Sequence, residues 1–221
     1  MLIVKIMRIS FLDVEILPRD IPKVRGYFAT RYPEIMDFHN HTDKGFKYSF
    51  PVIQYRVVDN YPVLIAINHG IEILNKIVFN ETELQLGNNS YIINDKSINV
   101  KNYELGTCSE DLSYKFCSPW MALKEDNYKI YKLLDDFKKR EFLNHLLREN
   151  LKTLSKGFNY FIPDIESIKV QSNLRPVYVK FKNQKMLCFK GDFKVNFQIP
   201  DLLGIGKQSA RGFGVVRKEI M

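Results

Sequence analysis

Apolar residues take alternate positions at the start of the chain, at Leu2, Val4 and Ile6 and again at Ile9 and Phe11, which predicts a strand. Pro18 closes that segment after Ile16 and Leu17. The period then changes. Ile21, Val24, Tyr27, Phe28 and Tyr32 recur at the spacing of one helix face, with Asp20 as N-cap, Pro22 tolerated in the first turn and Pro33 as the stop. After a polar stretch, residues 48–58 and 63–67 read as strands joined by Asp59, Asn60, Tyr61 and Pro62, which is the chemistry of a hairpin turn. Ile71, Leu74, Ile77 and Val78 form a second helical stripe, and residues 90–105 return to alternation through Tyr91, Ile93, Ile98 and Val100.

The order to this point is βαββαβ, that of a ferredoxin-like (RRM-like) unit with both helices on one face of an antiparallel sheet. A boundary near Gly106 divides the chain into residues 1–106 and 107–221. The second half opens with a predicted strand over 112–123. A helical region over 125–157 follows, with Tyr128, Tyr131, Leu134, Leu146, Leu147 and Leu154 inward, and its length calls for two helices. From Ile165 the chain alternates again, through Val170, Val177, Val179 and Phe181 and then Leu187, Phe189, Phe193, Val195 and Phe197. The expected class is α+β, as two tandem ferredoxin-like domains.

Composition narrows the partners. The chain has 221 residues, 45% of them apolar and 26% charged, which is globular rather than disordered. A formal net charge of +8 favours a phosphate-rich partner, because each neutralised phosphate releases counterions. Cys108, Cys117 and Cys188 are too widely spaced for a CxxC metal or redox motif or a disulfide framework, and a reducing cytoplasm suits them. The N-terminal apolar run is interrupted by Lys5 and Arg8 and is too short to span a bilayer, so neither membrane nor export is expected.

Near the C-terminus, Gly204, Gly206, Gly212 and Gly214 are interleaved with Lys207, Ser209, Arg211 and Phe213. Glycine lets a backbone approach a bulky anion, and Lys207 and Arg211 supply charge for phosphates. A Walker A loop does not fit, since Asp201 stands where its first glycine belongs and Gln208 follows Lys207; a Rossmann fingerprint would need glycine at Ser209. The bland alternative is a glycine-rich turn.

A second cluster, Asp37, His39, His41, Asp43, Lys44, Lys47 and Tyr48, follows the first helix and holds two of the four histidines. Metal-free RNA cleavage needs a base for the 2′-hydroxyl, an acid for the departing 5′-oxygen, and positive charge for the phosphorane. Histidine titrates near cellular pH, Tyr48 can orient or donate, and Lys44, Lys47 or Arg31 can hold the oxyanion, with Lys47 preferred. The rival reading is a metal-dependent hydrolase using Asp37, His39, His41 and Asp43, which would share a face in an extended segment. Two lysines beside them oppose a cation. His69 and His145 lie elsewhere and read as structural, while Lys138, Lys139 and Arg140, with Lys152 and Lys156, read as a solvated helix face or an RNA guide.

The C-terminal segment resembles the G-x-G-x(5)-G-F-G signature of the CRISPR-associated endoribonucleases of the RAMP superfamily that process precursor guide RNA. The residues that carry it are Gly204, Gly206, Lys207, Ser209, Gly212, Phe213 and Gly214. The resemblance implies tandem ferredoxin-like folds, a CRISPR repeat RNA as substrate and partner, metal-independent cleavage without cofactor, and a catalytic histidine just after the first helix. Both His41, the first candidate, and His39 meet that description. Other subunits of a guide complex and a second copy of the chain are further candidate partners. A related reading is a non-catalytic RNA-binding RAMP subunit.

Overall fold

A computed structural model describes residues 1–39, 50–162 and 164–219, together with the backbone course of 41–42 and 45–46. It divides into two compact units, one of Ile3–Tyr103 with Ala210–Gly212, the other of Met1–Leu2, Glu104–Ser209 and Phe213–Met221.

In the first unit, β1 (Leu2–Phe11) leads through a 3₁₀ turn (Pro18–Asp20) into α1 (Ile21–Arg31), as the change of period predicts. Asp20 does not cap α1 with its side chain; its carboxylate accepts from Leu17 N at 3.3 Å and Lys23 Nζ at 2.7 Å. A one-turn helix α2 (Met36–His39) and a short hairpin of β2 (His41–Thr42) and β3 (Gly45–Phe46) follow. Next come β4 (Ile53–Val58), β5 (Tyr61–Ile67), α3 (His69–Ile77), β6 (Glu83–Leu86), β7 (Asn89–Ile92) and β8 (Lys96–Phe116). The turn between β4 and β5 is tighter than expected. Asp59 and Asn60 take φ of 52° and 67°, the two-residue geometry that matches strand twist, so Tyr61 and Pro62 already pair with Val58 and Val57.

The sheet order is β4-β5-β1-β8, and the pairs β4–β5 and β1–β5 are antiparallel, which is the ferredoxin-like arrangement. Met7, Ile9 and Phe11 of β1 pack with Leu64 and Ala66 of β5, Ile53 and Tyr55 of β4, Val24 and Phe28 of α1, and Ile71 and Leu74 of α3. The β6–β7 hairpin adds Leu84 and Leu86 to that core.

The second unit takes β8 from Glu104 onward, α4 (Glu125–Leu133), α5 (Asp136–Gly157), β9 (Val170–Phe181), β10 (Gln184–Gln198) and β11 (Val216–Lys218). The helical region does break in two, with Asp135 capping α5 through Lys138 N at 2.8 Å. Tyr128, expected inward, is exposed, whereas Tyr131 is buried. Leu143, Leu147, Leu151 and Leu154 form the buried stripe of α5, and Asn144 Oδ1 accepts from Ser172 N and Oγ of β9 at 3.1 and 2.6 Å.

Here the order is β9-β10-β8-β11, the same permutation as in the first unit. One element differs. Where a second helix would connect β10 to β11, the chain runs instead through the glycine-rich segment with a single 3₁₀ turn (Ser209–Arg211). The strand expected over 112–123 ends at Phe116, and residues 117–123 hold only isolated bridges at Trp120 and Met121.

Candidate functional site

The histidine segment is fixed at its start by an aromatic anchor. Phe38, wholly buried, packs against the rings of Phe28 at 5.8 Å and Tyr32 at 6.1 Å, so the last turn of α1 sets the direction in which α2 leaves. His39 ends α2 and its carbonyl accepts from Arg25 Nη2 at 2.8 Å. The Nε2 atom of His39 is buried and has no hydrogen-bond partner among the described residues. His41 begins β2, opposite Phe46. Its side chain lies outside the described residues, as do Asp43, Lys44, Lys47 and Tyr48.

Two further groups stand close by that sequence reading set aside or missed. His69, at the first position of α3, has Nε2 3.9 Å from Asp37 Oδ1, so this histidine joins the segment rather than standing apart. Arg25 reads in the sequence as one more solvated helix cation; only its bond to the His39 carbonyl reveals its placement. Asp37 and His39 are both helical, and residues two apart on a helix do not share a face, which removes the geometric basis for an alternating metal ladder there. Among the described residues no three His, Cys, Asp or Glu side chains are placed to hold a metal ion together.

Arg31, a candidate for holding the oxyanion, is tied to a buried carboxylate. Its Nε lies 2.9 Å from Glu81 Oε1, and Glu81 has no exposed surface. Tyr27 donates to the other oxygen of Glu81 at 2.6 Å, and Tyr32 donates to Oε1 as well. Bonds to Tyr32 and Glu81 hold the Arg31 guanidinium firmly charged, while burial first and the Glu81 carboxylate second push the Tyr27 and Tyr32 hydroxyls up.

The glycine-rich segment is more internally engaged than its composition suggests. At Gly206 (φ +81°) a Cβ would lie 2.5 Å from Asn150 Oδ1 and 2.6 Å from Trp120 Nε1, which themselves bond at 3.1 Å. At Gly214 (φ +61°) a Cβ would fall 2.0 Å from the Ile205 carbonyl. Both positions exclude a side chain because protein already fills the space. Gly204 bridges Val215, Ser209 is buried, and Phe213 meets the Phe181 ring edge-on at 5.4 Å. Lys207 is exposed, yet its Nζ lies 3.2 Å from the Leu123 carbonyl, and desolvation, then Lys124, pulls its ammonium below the usual range.

Arg211 is placed differently. Ala210–Gly212 belongs to the unit that carries the histidine segment, where a Cβ on Gly212 (φ +83°) would touch the Tyr55 carbonyl at 3.4 Å. Burial, followed by the positive field of Arg25, lowers the Arg211 guanidinium. Arg25, whose field reaches Arg211, is the same residue that bonds the His39 carbonyl. Both guanidinium groups belong to the unit that carries the histidine segment, and guanidinium is a side chain suited to a phosphodiester. By contrast Lys138 and Lys139 pair with Asp135 at 3.4 Å and Asp136 at 3.2 Å on an exposed helix face, and His145 is exposed on α5.

Comparison with known proteins follows the same division. The Cas6b N-terminal domain family matches residues 2–104 and the Cas6b C-terminal domain family matches residues 106–219. A crystal structure of Cas6b is similar at 40% identity and TM-score 0.94, covering 99% of this chain and 100% of that one. A crystal structure of the CRISPR RNA processing endoribonuclease Cas6b is similar at 36% identity and TM-score 0.80, again over 99% and 100%. A curated relative, an uncharacterized protein of Methanocaldococcus jannaschii, is 38% identical over 150 residues, 66% of this chain and 99% of its own length.

Proposed function

The chain belongs to the Cas6b family over both of its domains, and from that premise we propose that it is an endoribonuclease that cuts CRISPR repeat RNA within precursor guide transcripts. The observation that carries this reading is the bond of Arg25 to the His39 carbonyl in the same compact unit that takes in Arg211. Arg25 and Arg211 bind the non-bridging oxygens of the scissile phosphate, and the histidine segment moves the protons.

In the proposed reaction the 2′-hydroxyl oxygen attacks the adjacent phosphorus while the bond from phosphorus to the 5′-oxygen breaks. A base removes the 2′-hydroxyl proton and an acid protonates the leaving 5′-oxygen, giving 2′,3′-cyclic phosphate and 5′-hydroxyl ends. His41 is the leading candidate for one proton transfer, with His39 the competitor and Tyr48 the assisting donor. Lys47 adds charge to the phosphorane, and Arg31, steadied by Glu81, adds a cation at the end of α1. Every charge the step requires comes from a side chain, so the reaction is metal-independent.

The test is single-turnover cleavage of a repeat RNA in excess EDTA, with a matched substrate carrying 2′-deoxyribose at the cut. Cleavage should persist in chelator, give cyclic phosphate ends and stop on the deoxy substrate. Loss of activity on chelation, or cutting of the deoxy substrate, would make water the nucleophile and overturn the mechanism.

A further inference from the structure

Arg19, Lys23, Tyr27 and Arg31 stand four residues apart, so through the 3₁₀ turn and α1 they form one ridge with about 6 Å of rise per step. The ridge faces the β6–β7 hairpin across two open cavities. One of about 540 Å³ is bordered by Arg19 and Lys23 with Asn60, Asn89 and Tyr91; the next, of about 470 Å³, is bordered by Lys23, Tyr27 and Arg31 with Gln85. Lys23 lies on both, which makes the two a single path. Of the acids near it, Asp20 already holds Lys23 and Leu17 N, Glu81 is buried beneath Arg31, and Glu15 lines the wider cavity.

Gly26 lies in the middle of this path and has no internal explanation. It is an exposed residue in the interior of α1, where glycine costs about 1 kcal/mol against alanine, and a Cβ there would meet nothing within 4 Å. Neither packing nor backbone conformation requires it. A bare helix surface of this kind suits close approach by something outside the chain, and the cations at helical intervals with an aromatic ring among them describe what approaches.

We propose that this groove along α1 and the β6–β7 hairpin is a second RNA-binding track, distinct from the cleavage centre except at Arg31, that takes the phosphate backbone of the repeat strand against Arg19 and Lys23 and passes it over Gly26. The inference rests on the reading that the chain binds repeat RNA. It assigns a purpose to residues that neither the histidine segment nor the glycine-rich segment uses.

The experiment titrates labelled repeat RNA by fluorescence anisotropy against wild type, Gly26→Ala, Gly26→Glu and the double variant Arg19→Ala with Lys23→Ala, each with a thermal melt. Gly26→Glu should weaken binding about tenfold, by bulk and negative charge, without lowering the melting temperature, and Gly26→Ala should melt higher than wild type. The double variant should lower the salt slope of binding by roughly one to two units. Wild-type affinity in folded Gly26→Glu, together with an unchanged salt slope in the double variant, sinks the track while leaving the proposed nuclease intact. Should Gly26→Glu unfold, the double variant decides alone. Failure of wild type itself to bind repeat RNA removes the nuclease reading and this inference together.

Discussion

The Nε–H of Arg31 meets Glu81 Oε1 across 2.9 Å although the two are fifty positions apart in the chain, and it does so at a carboxylate with no surface in contact with water. A buried carboxylate is stable only while its acceptors are filled, and Tyr27, Tyr32 and Arg31 fill them. Glu81→Gln keeps the shape but removes the charge and reverses one hydrogen bond. It should cost about 2 kcal/mol and lower the melting temperature by roughly 4–8 °C, with Tyr27→Phe about half as severe. A melt of Glu81→Gln within 1 °C of wild type, taken as about the resolution of the measurement against that scale, would show that the cluster is dispensable.

His41→Ala should slow single-turnover cleavage by roughly 100-fold or more with RNA affinity nearly unchanged, the usual scale for a general acid or base. His39→Ala is the paired measurement. If His39→Ala abolishes cutting and His41→Ala does not, the roles are reversed; if both variants cut at the wild-type rate, the chemistry lies outside this segment.

Arg211 and Lys207 should behave differently although both belong to the glycine-rich segment. Arg211→Ala should weaken repeat binding and reduce the dependence of affinity on salt by about one unit or less, the amount expected for one phosphate contact. Lys207 already bonds the Leu123 carbonyl, so Lys207→Met should leave the salt slope nearly intact. Equal slopes for the two variants would return Lys207 to the RNA surface.

Alkaline pH should unfold the protein through its tyrosines. Tyr114 is wholly buried, accepts a hydrogen bond from Ile199 N at 2.9 Å, and is pushed by burial up to about 12; burial also raises Tyr27, Tyr32 and Tyr55. A pKa raised by folding means stability that is complete below the unfolded value near 10 and lost as pH climbs through the folded one. The melting temperature should therefore fall steeply above about pH 10, with phenolate absorbance appearing together with unfolding. Tyr114→Phe should flatten that fall; an unchanged pH profile in this variant would assign it to other groups.

Elements with a long, clean period were legible in the sequence. The stripe from Ile21 to Phe28 gave α1, and the length of the helical region over 125–157 called for the two helices α4 and α5, although the place of the break at Asp135 was not read. What escaped was short or interrupted. The strand β6 has only four residues, too few for Leu84 and Leu86 to establish an alternation. Gly106 reads as a boundary, yet β8 passes through it, and the register opposite β10 slips between Val195 and Phe197 so that alternation is lost just there. At the candidate site, the histidines and Arg211 stood out by residue type. Arg25 and Glu81 did not, because a cation on a helix and a lone acid look solvated until a partner 14 or 50 residues away is seen.

The assignment of Ala210–Gly212 to the unit built by Ile3–Tyr103 has a consequence for synthesis. A ribosome that has finished β1 through β7 has made the histidine segment and Arg25 but not Arg211, which follows more than a hundred residues later, about 6–24 seconds at ordinary elongation rates. During that interval the nascent chain can bury its first core while still lacking one of the two guanidinium groups that the proposed reaction sets on the scissile phosphate. On the proposed reaction, competence to cut RNA therefore arrives last, and a chain that ends between Tyr103 and Arg211 lacks a group the cleavage step calls for.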